Sequence, residues 1–269
     1  MATIQASGAT AAVNGVTLAF DDTGGDGPVV MLSHGFLMDR TMFDDQVAAL
    51  RHAYRVITWD ERGFGATVYD GRPFTYWDSA RDCLALMDHL GIERAVLGGM
   101  SQGGFIALRA ALIDPSRVRG LILLSTQAGP EDADVIPVYQ GMIDAWIEDG
   151  PSIEAAEVSA NLILGDPALF SPWTTLWMER PPETLRNPAQ ALVEREGIEH
   201  RLDEITAPAL VVHGTADVSI SLDKAARMAD MLVGCGGMVT VDGGTHATNM
   251  THPRQVNEAM LDFLAGLPD

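Results

Sequence analysis

Ala95-Val96-Leu97-Gly98-Gly99-Met100-Ser101-Gln102-Gly103-Gly104-Phe105-Ile106-Ala107-Leu108 is the stretch on which the fold of this chain turns. Ala95–Gly98 is a short apolar run of the kind that makes a buried strand, and Phe105 onward opens an apolar helix. Between them stands Gly99-Met100-Ser101-Gln102-Gly103, a G-x-S-x-G pattern. A serine held in a sharp strand-to-helix turn needs small neighbours, because the two backbones approach closely there. Glycine is common in this chain, so the competing reading is a glycine-rich turn that contains a serine by chance. The strand before it and the helix after it favour the first reading.

Outward from this stretch the chain alternates. Short apolar runs at Val29–Leu32, Tyr54–Trp59, Ala95–Leu97, Val118–Leu124, Ala209–Val212 and Met238–Val241 read as strands. Segments with helical periodicity lie between them, at Thr41–Leu50, Thr75–Leu90, Gln102–Ile113, Leu222–Leu232 and Arg254–Leu264. Near-continuous apolar strands separated by helices predict a mostly parallel sheet covered on both faces. Ahead of it, Ala11–Val13, Asn14-Gly15 and Val16–Phe20 read as a hairpin, since Asn-Gly takes the positive φ of a tight turn.

Residues 127–201 break the rhythm with eight prolines and no convincing strand, and they carry Trp146, Trp173 and Trp177. Linkers avoid tryptophan, so this segment of about 75 residues is expected to be a helical cap inserted into a core formed by residues 1–126 and 202–269. Its aromatics have two compatible uses, a small core of the cap and the wall of a pocket. Met100, Leu37, Trp146, Trp173 and Trp177 are the pocket candidates.

A serine hydroxyl is a weak nucleophile and needs a base with an orienting acid. Asp217 follows the strand Ala209–Val212, and His246 follows the strand Met238–Val241, each in a loop past a strand's carboxyl end, where catalytic groups of open parallel sheets gather. Ser101, Asp217 and His246 therefore form the expected catalytic set. Asp223 competes as a helix-start residue, Asp242 as a turn former, and His213 and His252 as packed or surface histidines. Backbone N–H groups of Phe36 and Gln102 are the expected oxyanion donors, with His34 holding the turn that presents Phe36. Asp60-Glu61-Arg62-Gly63-Phe64-Gly65 lacks the ending of a phosphate loop and reads as a structural turn in which Asp60 and Arg62 bond neighbouring backbone.

Taken together, His34-Gly35-Phe36, Asp60–Gly65, Gly99–Gly103, Gly214–Asp217 and Gly244–His246, in that order, resemble the α/β-hydrolase fold superfamily. The stretch from Gly91–Arg94 through Leu121–Leu124 adds a likeness to small capped esterases and lactonases similar to 3-oxoadipate enol-lactonase. The resemblance implies an eight-stranded sheet and a helical cap. Ser101 argues against the relatives that use aspartate at this position.

The 269 residues carry 17 basic and 37 acidic side chains, a net charge of −20. Such a surface repels phosphate backbones and anionic lipid, and Lys224 is the only lysine, so neither nucleic acid nor membrane is an expected partner. A small neutral ester or lactone is the expected substrate, cleaved through an acyl-enzyme. A cofactor-free haloperoxidase or perhydrolase and a ligand receptor with a slow triad are the alternatives. No cofactor or metal motif is present, and a homodimer is compatible with the chain. The two cysteines, Cys83 and Cys235, are expected as buried free thiols. Met1–Gln5 has neither a basic nor an apolar leader region, which points to a cytoplasmic protein.

Overall fold

The computed structural model describes residues 8–268; the leader reading on Met1–Gln5 lies outside them. Eight strands form one sheet: β1 (Ala9–Val13), β2 (Val16–Asp22), β3 (Val29–Ser33), β4 (Arg55–Trp59), β5 (Ala95–Met100), β6 (Val118–Leu124), β7 (Ala209–Gly214) and β8 (Cys235–Val241). Their order across the sheet is β1-β2-β4-β3-β5-β6-β7-β8. The first two strands are antiparallel, joined at Asn14 (φ 47°) and Gly15 (φ 80°), and β2 also pairs antiparallel with β4. Every pairing from β4 through β3 to β8 is parallel.

The ten α-helices among the described residues are α1 (Asp44–Leu50), α2 (Tyr76–His89), α3 (Gln102–Ile113), α4 (Ile136–Asp149), α5 (Ile153–Ile163), α6 (Phe170–Glu179), α7 (Arg186–Val193), α8 (Leu222–Met231), α9 (Thr248–Thr251) and α10 (Pro253–Ala265). The sheet is buried on both faces because alternate residues of its central strands enter different cores. Met31 and Leu97 pack with Leu86 and Met87 of α2 and Ile106 of α3. Val30, Leu32 and Val96 pack on the opposite face with Leu50 of α1 and Val256 and Met260 of α10. Burying a side chain of this size contributes about 1.5–3 kcal/mol. Trp59 is fully buried, and its indole N–H donates to Ser33 Oγ at 2.9 Å, so the ring brings no unpaired donor into the core.

Two local readings change. Arg62 does not bond neighbouring backbone as its principal partner; its Nε meets Asp82 Oδ2 at 2.5 Å, an ion pair that ties the turn to α2. Asp60 does take backbone N–H groups, from Arg40 at 2.9 Å and Ala66 at 2.8 Å, and also the Arg40 guanidinium at 2.5 Å. Cys83 is buried and Cys235 is half-buried, since Cys235 opens the solvent-facing edge strand β8. Both are free thiols.

Helices α4 to α7 fall between Leu124 and Ala209, although β6 and β7 are hydrogen-bonded neighbours. The chain thus leaves the sheet at the carboxyl end of β6, builds four helices, and crosses back to enter the parallel neighbour β7 at its amino end. Trp146, Trp173, Trp177, Ile143, Ile163 and Leu185 of this segment pack into the same apolar cluster as Met38, Met42 and Phe64 of the core. Among the described residues, no helix is long and apolar enough to cross a membrane.

Candidate active site

Ser101 sits between β5 and α3 with φ 53° and ψ −114°. A positive φ on a residue with a Cβ costs on the order of 1–3 kcal/mol and persists only where the surroundings enforce it. Here they do. Ser101 N–H donates to Leu124 O at 2.9 Å, and Thr126 Oγ donates to Ser101 O at 2.7 Å. A Cβ on Gly103 would lie 1.9 Å from Ser33 O, and one on Gly99 would lie 2.5 Å from the same atom, so only glycine allows β3 and α3 this close.

Asp217 stands in the loop after β7, fully buried in its side chain. Its Oδ1 accepts the N–H groups of Ser219 (2.8 Å) and Ile220 (2.9 Å), while Oδ2 faces His246 Nδ1 at 2.8 Å. Burial alone would raise the carboxyl, but His246, the Ile220 N–H and His213 outweigh it and hold it below the usual carboxylate range. An ionised Asp217 fixes the His246 proton on Nδ1 and leaves Nε2 free to accept. Ser101 and His246 line one cavity of about 130 Å³, with no hydrogen bond between them; in ligand-free sites such bonds are often long. His213 Nε2 lies 2.8 Å from Ile220 O and 3.2 Å from Asp217 Oδ2; burial lowers its pKa, so it braces the loop as a neutral ring. Among the described residues the His252 ring has one hydrogen-bond partner, the Oγ1 of its neighbour Thr251, 3.0 Å away.

The turn after β3 carries the other half of the geometry. Glu61 N–H donates to His34 Nε2 at 3.0 Å, which puts the imidazole proton on Nδ1, 2.8 Å from Gly35 O. Met38 N–H reaches the same carbonyl at 3.1 Å. Gly35 C=O and Phe36 N–H belong to one trans peptide and point in opposite directions, so two donors anchored to the carbonyl aim the N–H away from the turn. Among the described residues neither Phe36 N–H nor Gln102 N–H has a hydrogen-bond acceptor. Leu37, next in the turn, has φ 66°.

Phe36, Leu37, Met100 and Trp146 line the cavity, but Trp173 and Trp177 do not. Trp177 donates to Leu37 O at 2.6 Å and lines a smaller adjoining cleft, and Trp173 is packed into the apolar cluster beneath the inserted helices. The sequence reading missed Tyr139, Ser159, Ser219, Glu131 and Arg195 on the cavity wall. None stands in a motif: Glu131, Tyr139, Ser159 and Arg195 reach the cavity through packing of residues 127–201, and Ser219 through the loop that carries Asp217.

The residues matched by the family model described as the alpha/beta hydrolase fold run from 28 to 253, which spans Ser101, Asp217 and His246. This chain belongs to the α/β-hydrolase fold family. Within the family it is 29% identical over 267 residues to a provisionally named non-heme chloroperoxidase of Synechocystis sp., covering 93% of this chain and 95% of that one. A thermophilic esterase from Thermogutta terrifontis is 30% identical with a TM-score of 0.85, covering 95% and 96% of the two chains. The enol-lactonase from Burkholderia xenovorans is 25% identical with a TM-score of 0.85, covering 96% and 100%. The α/β-hydrolase-fold proteins it resembles thus include an esterase, an enol-lactonase and a non-heme chloroperoxidase by name.

Next to Gln102, the residue after Ser101, lies the fully buried Glu61; Gln102 Oε1 accepts from Tyr76 OH at 3.1 Å. Burial pushes the Glu61 carboxyl well above its ordinary value, the Gln102 side chain opposes this, and the charges of Asp60 and Asp82 add to it. An acid whose folded pKa is raised costs stability once the pH passes its unfolded value, about 4.3, and the cost grows until the folded value is reached. Glu61→Gln keeps the shape without the titration. Its melting temperature is expected to match the parent near pH 4 and exceed it at pH 8, by about 2–4 °C for each kcal/mol recovered. Equal melting temperatures at both pH values would contradict this account.

Proposed function

We propose that the chain is a serine hydrolase of small, neutral carboxylic esters or lactones, working through an acyl-enzyme. The observation that carries this reading is the Asp217 Oδ2···Nδ1 His246 contact of 2.8 Å, which leaves Nε2 as acceptor on the cavity that Ser101 also lines. Ser101 Oγ attacks the substrate carbonyl while its proton passes to His246 Nε2. The carbonyl π electrons move to oxygen, and the N–H groups of Phe36 and Gln102 receive that oxyanion; one such donor is worth about 2.7–4 kcal/mol of barrier. Collapse expels the alkoxide, which takes the proton from His246. Water then repeats the sequence against the acyl-enzyme and frees the acid. Asp217 stays ionised throughout and stabilises the imidazolium.

Residues 127–201 serve as a cap that supplies most of the acyl pocket. The predominantly apolar lining, Leu37, Met100, Phe105, Ile143, Trp146 and Leu185 among it, suits an aliphatic or aromatic acyl group. A panel of p-nitrophenyl esters and lactones at neutral pH, with Ser101→Ala as control, tests the reading.

The Synechocystis relative favours a second acceptor for the same acyl-enzyme. With hydrogen peroxide in place of water, the product is a peracid and no redox cofactor is needed. On one acyl donor, water is expected to be used at the higher rate per molar acceptor-corrected turnover; a peroxide preference of a hundredfold or more would reassign the enzyme as a perhydrolase.

A further inference from the structure

Arg195 lies in the loop after α7, its side chain 2% exposed, and lines the cavity that holds Ser101 and His246. A guanidinium carries five N–H donors. Nη1 spends both of its own, on Glu131 Oε2 at 2.9 Å and Leu192 O at 2.8 Å. Nε is buried with no partner, and no acceptor among the described residues meets Nη2. The Arg195 Cζ stands 4.6 Å from the Phe105 ring centroid, and Phe105 is one helical turn past the nucleophile, with its N–H 3.3 Å from Ser101 O. The unpaired Nε–Nη2 edge of this buried arginine therefore belongs to one of the few polar residues in the wall of a mostly apolar chamber. Buried donors of this kind are rarely left without acceptors.

The neighbouring charge decides what meets that edge. Glu131 also lines the cavity and already neutralises Arg195, while its other oxygen accepts Asp132 N–H at 3.1 Å. A substrate carboxylate would place a second anion against one cation in a mostly apolar site, and buried charges are costly unless paired. A neutral acceptor satisfies the two donors and leaves the pair balanced. We infer that Arg195 binds a second, uncharged oxygen acceptor on the substrate, a ketone or amide carbonyl or a hydroxyl carried on the acyl chain, and that Glu131 keeps this subsite selective against carboxylates. This rests on the serine-hydrolase reading and names its substrate class: acyl chains with a remote neutral acceptor.

The test compares p-nitrophenyl hexanoate, its 4-oxo and 5-oxo analogues, and the p-nitrophenyl half-ester of adipic acid. At least one oxo ester is expected to exceed hexanoate in kcat/KM by about 10- to 100-fold, the worth of a hydrogen bond to a charged donor, and the half-ester is expected to gain nothing. Arg195→Met, which keeps the volume over Phe105, is expected to collapse the oxo-to-hexanoate ratio to near one. Glu131→Gln is expected to move preference toward the half-ester. Absence of any oxo preference in the parent, preference for the half-ester, or a fall in Arg195→Met that is equal for all esters would each overturn the inference. Because loss of catalysis would speak only to the serine-hydrolase reading, binding of 5-oxohexanamide, 4-oxohexanamide and hexanamide is measured by calorimetry in parallel. Tighter binding of an oxo amide by the parent but not by Arg195→Met supports the subsite whatever the turnover, and equal binding of all three by the parent counts against it.

Discussion

Ser101→Ala is expected to lower kcat on p-nitrophenyl esters by roughly 10⁶-fold, in line with nucleophile knockouts in other serine triads, and to abolish labelling by a fluorophosphonate. The size follows from the mechanism: without Oγ no acyl-enzyme forms, and only the oxyanion donors and binding remain to act on water. The same position offers a stability readout. Alanine keeps a Cβ at φ 53°, so the strain stays, whereas Ser101→Gly removes a cost of order 1–3 kcal/mol against about 0.4–1 kcal/mol for a freer unfolded chain. Both variants are expected to be inactive, with the glycine variant melting several degrees above the alanine one. Ester hydrolysis undiminished in Ser101→Ala would sink the proposed function, and equal melting points would mean that the elbow stores no strain.

The elbow was legible because its constraints are local. Strand, serine, small residues and helix follow one another within fourteen residues, and each requirement leaves a mark on composition. Asp217 and His246 were legible for a related reason: parallel strands deliver their following loops to one edge of the sheet, so chain order predicts spatial neighbourhood. The hairpin at Asn14-Gly15 belongs to the same class of local signals.

The cavity wall was not legible, because its residues are chosen by tertiary packing. Trp173 and Trp177 carry the same apolar signal as Trp146, yet only Trp146 turns toward Ser101; which face of each helix meets the cavity depends on how α4 to α7 pack on one another. Arg195 is one of four arginines among residues 127–201, and none of them stands in a motif. Its partner Glu131 is 64 positions away, and no periodicity links the two. The same holds for Arg62, where a turn-like neighbourhood suggested backbone partners and the fold supplied Asp82. Long-range pairs of opposite charge leave no trace in a single sequence.

Asp217→Asn is expected to lower kcat by about 10⁴-fold while leaving the backbone in place, the magnitude seen when the equivalent acid of another serine triad is amidated. The argument lies in the two oxygens. Oδ1 accepts two backbone N–H groups, from Ser219 and Ile220, so in the variant the amide carbonyl must take that position. The NH₂ group then occupies the place of Oδ2, 2.8 Å from His246 Nδ1, where it can only donate. His246 Nδ1 is forced to accept, its proton moves to Nε2, and the ring presents a donor to Ser101 instead of a base. Raising the pH cannot rescue this, since the tautomer rather than the net charge is wrong. The stability consequence has the opposite pH sign from that of Glu61. Asp217 has a lowered folded pKa, so its contribution is full above the unfolded value of about 3.9 and is lost as the pH falls through the folded one. The gap in melting temperature between parent and Asp217→Asn is therefore expected to be widest near pH 7 and to narrow below pH 4. Activity in the variant within tenfold of the parent would show that His246 takes its orientation from another group, and His213, 3.2 Å from the same oxygen, would be the first to test.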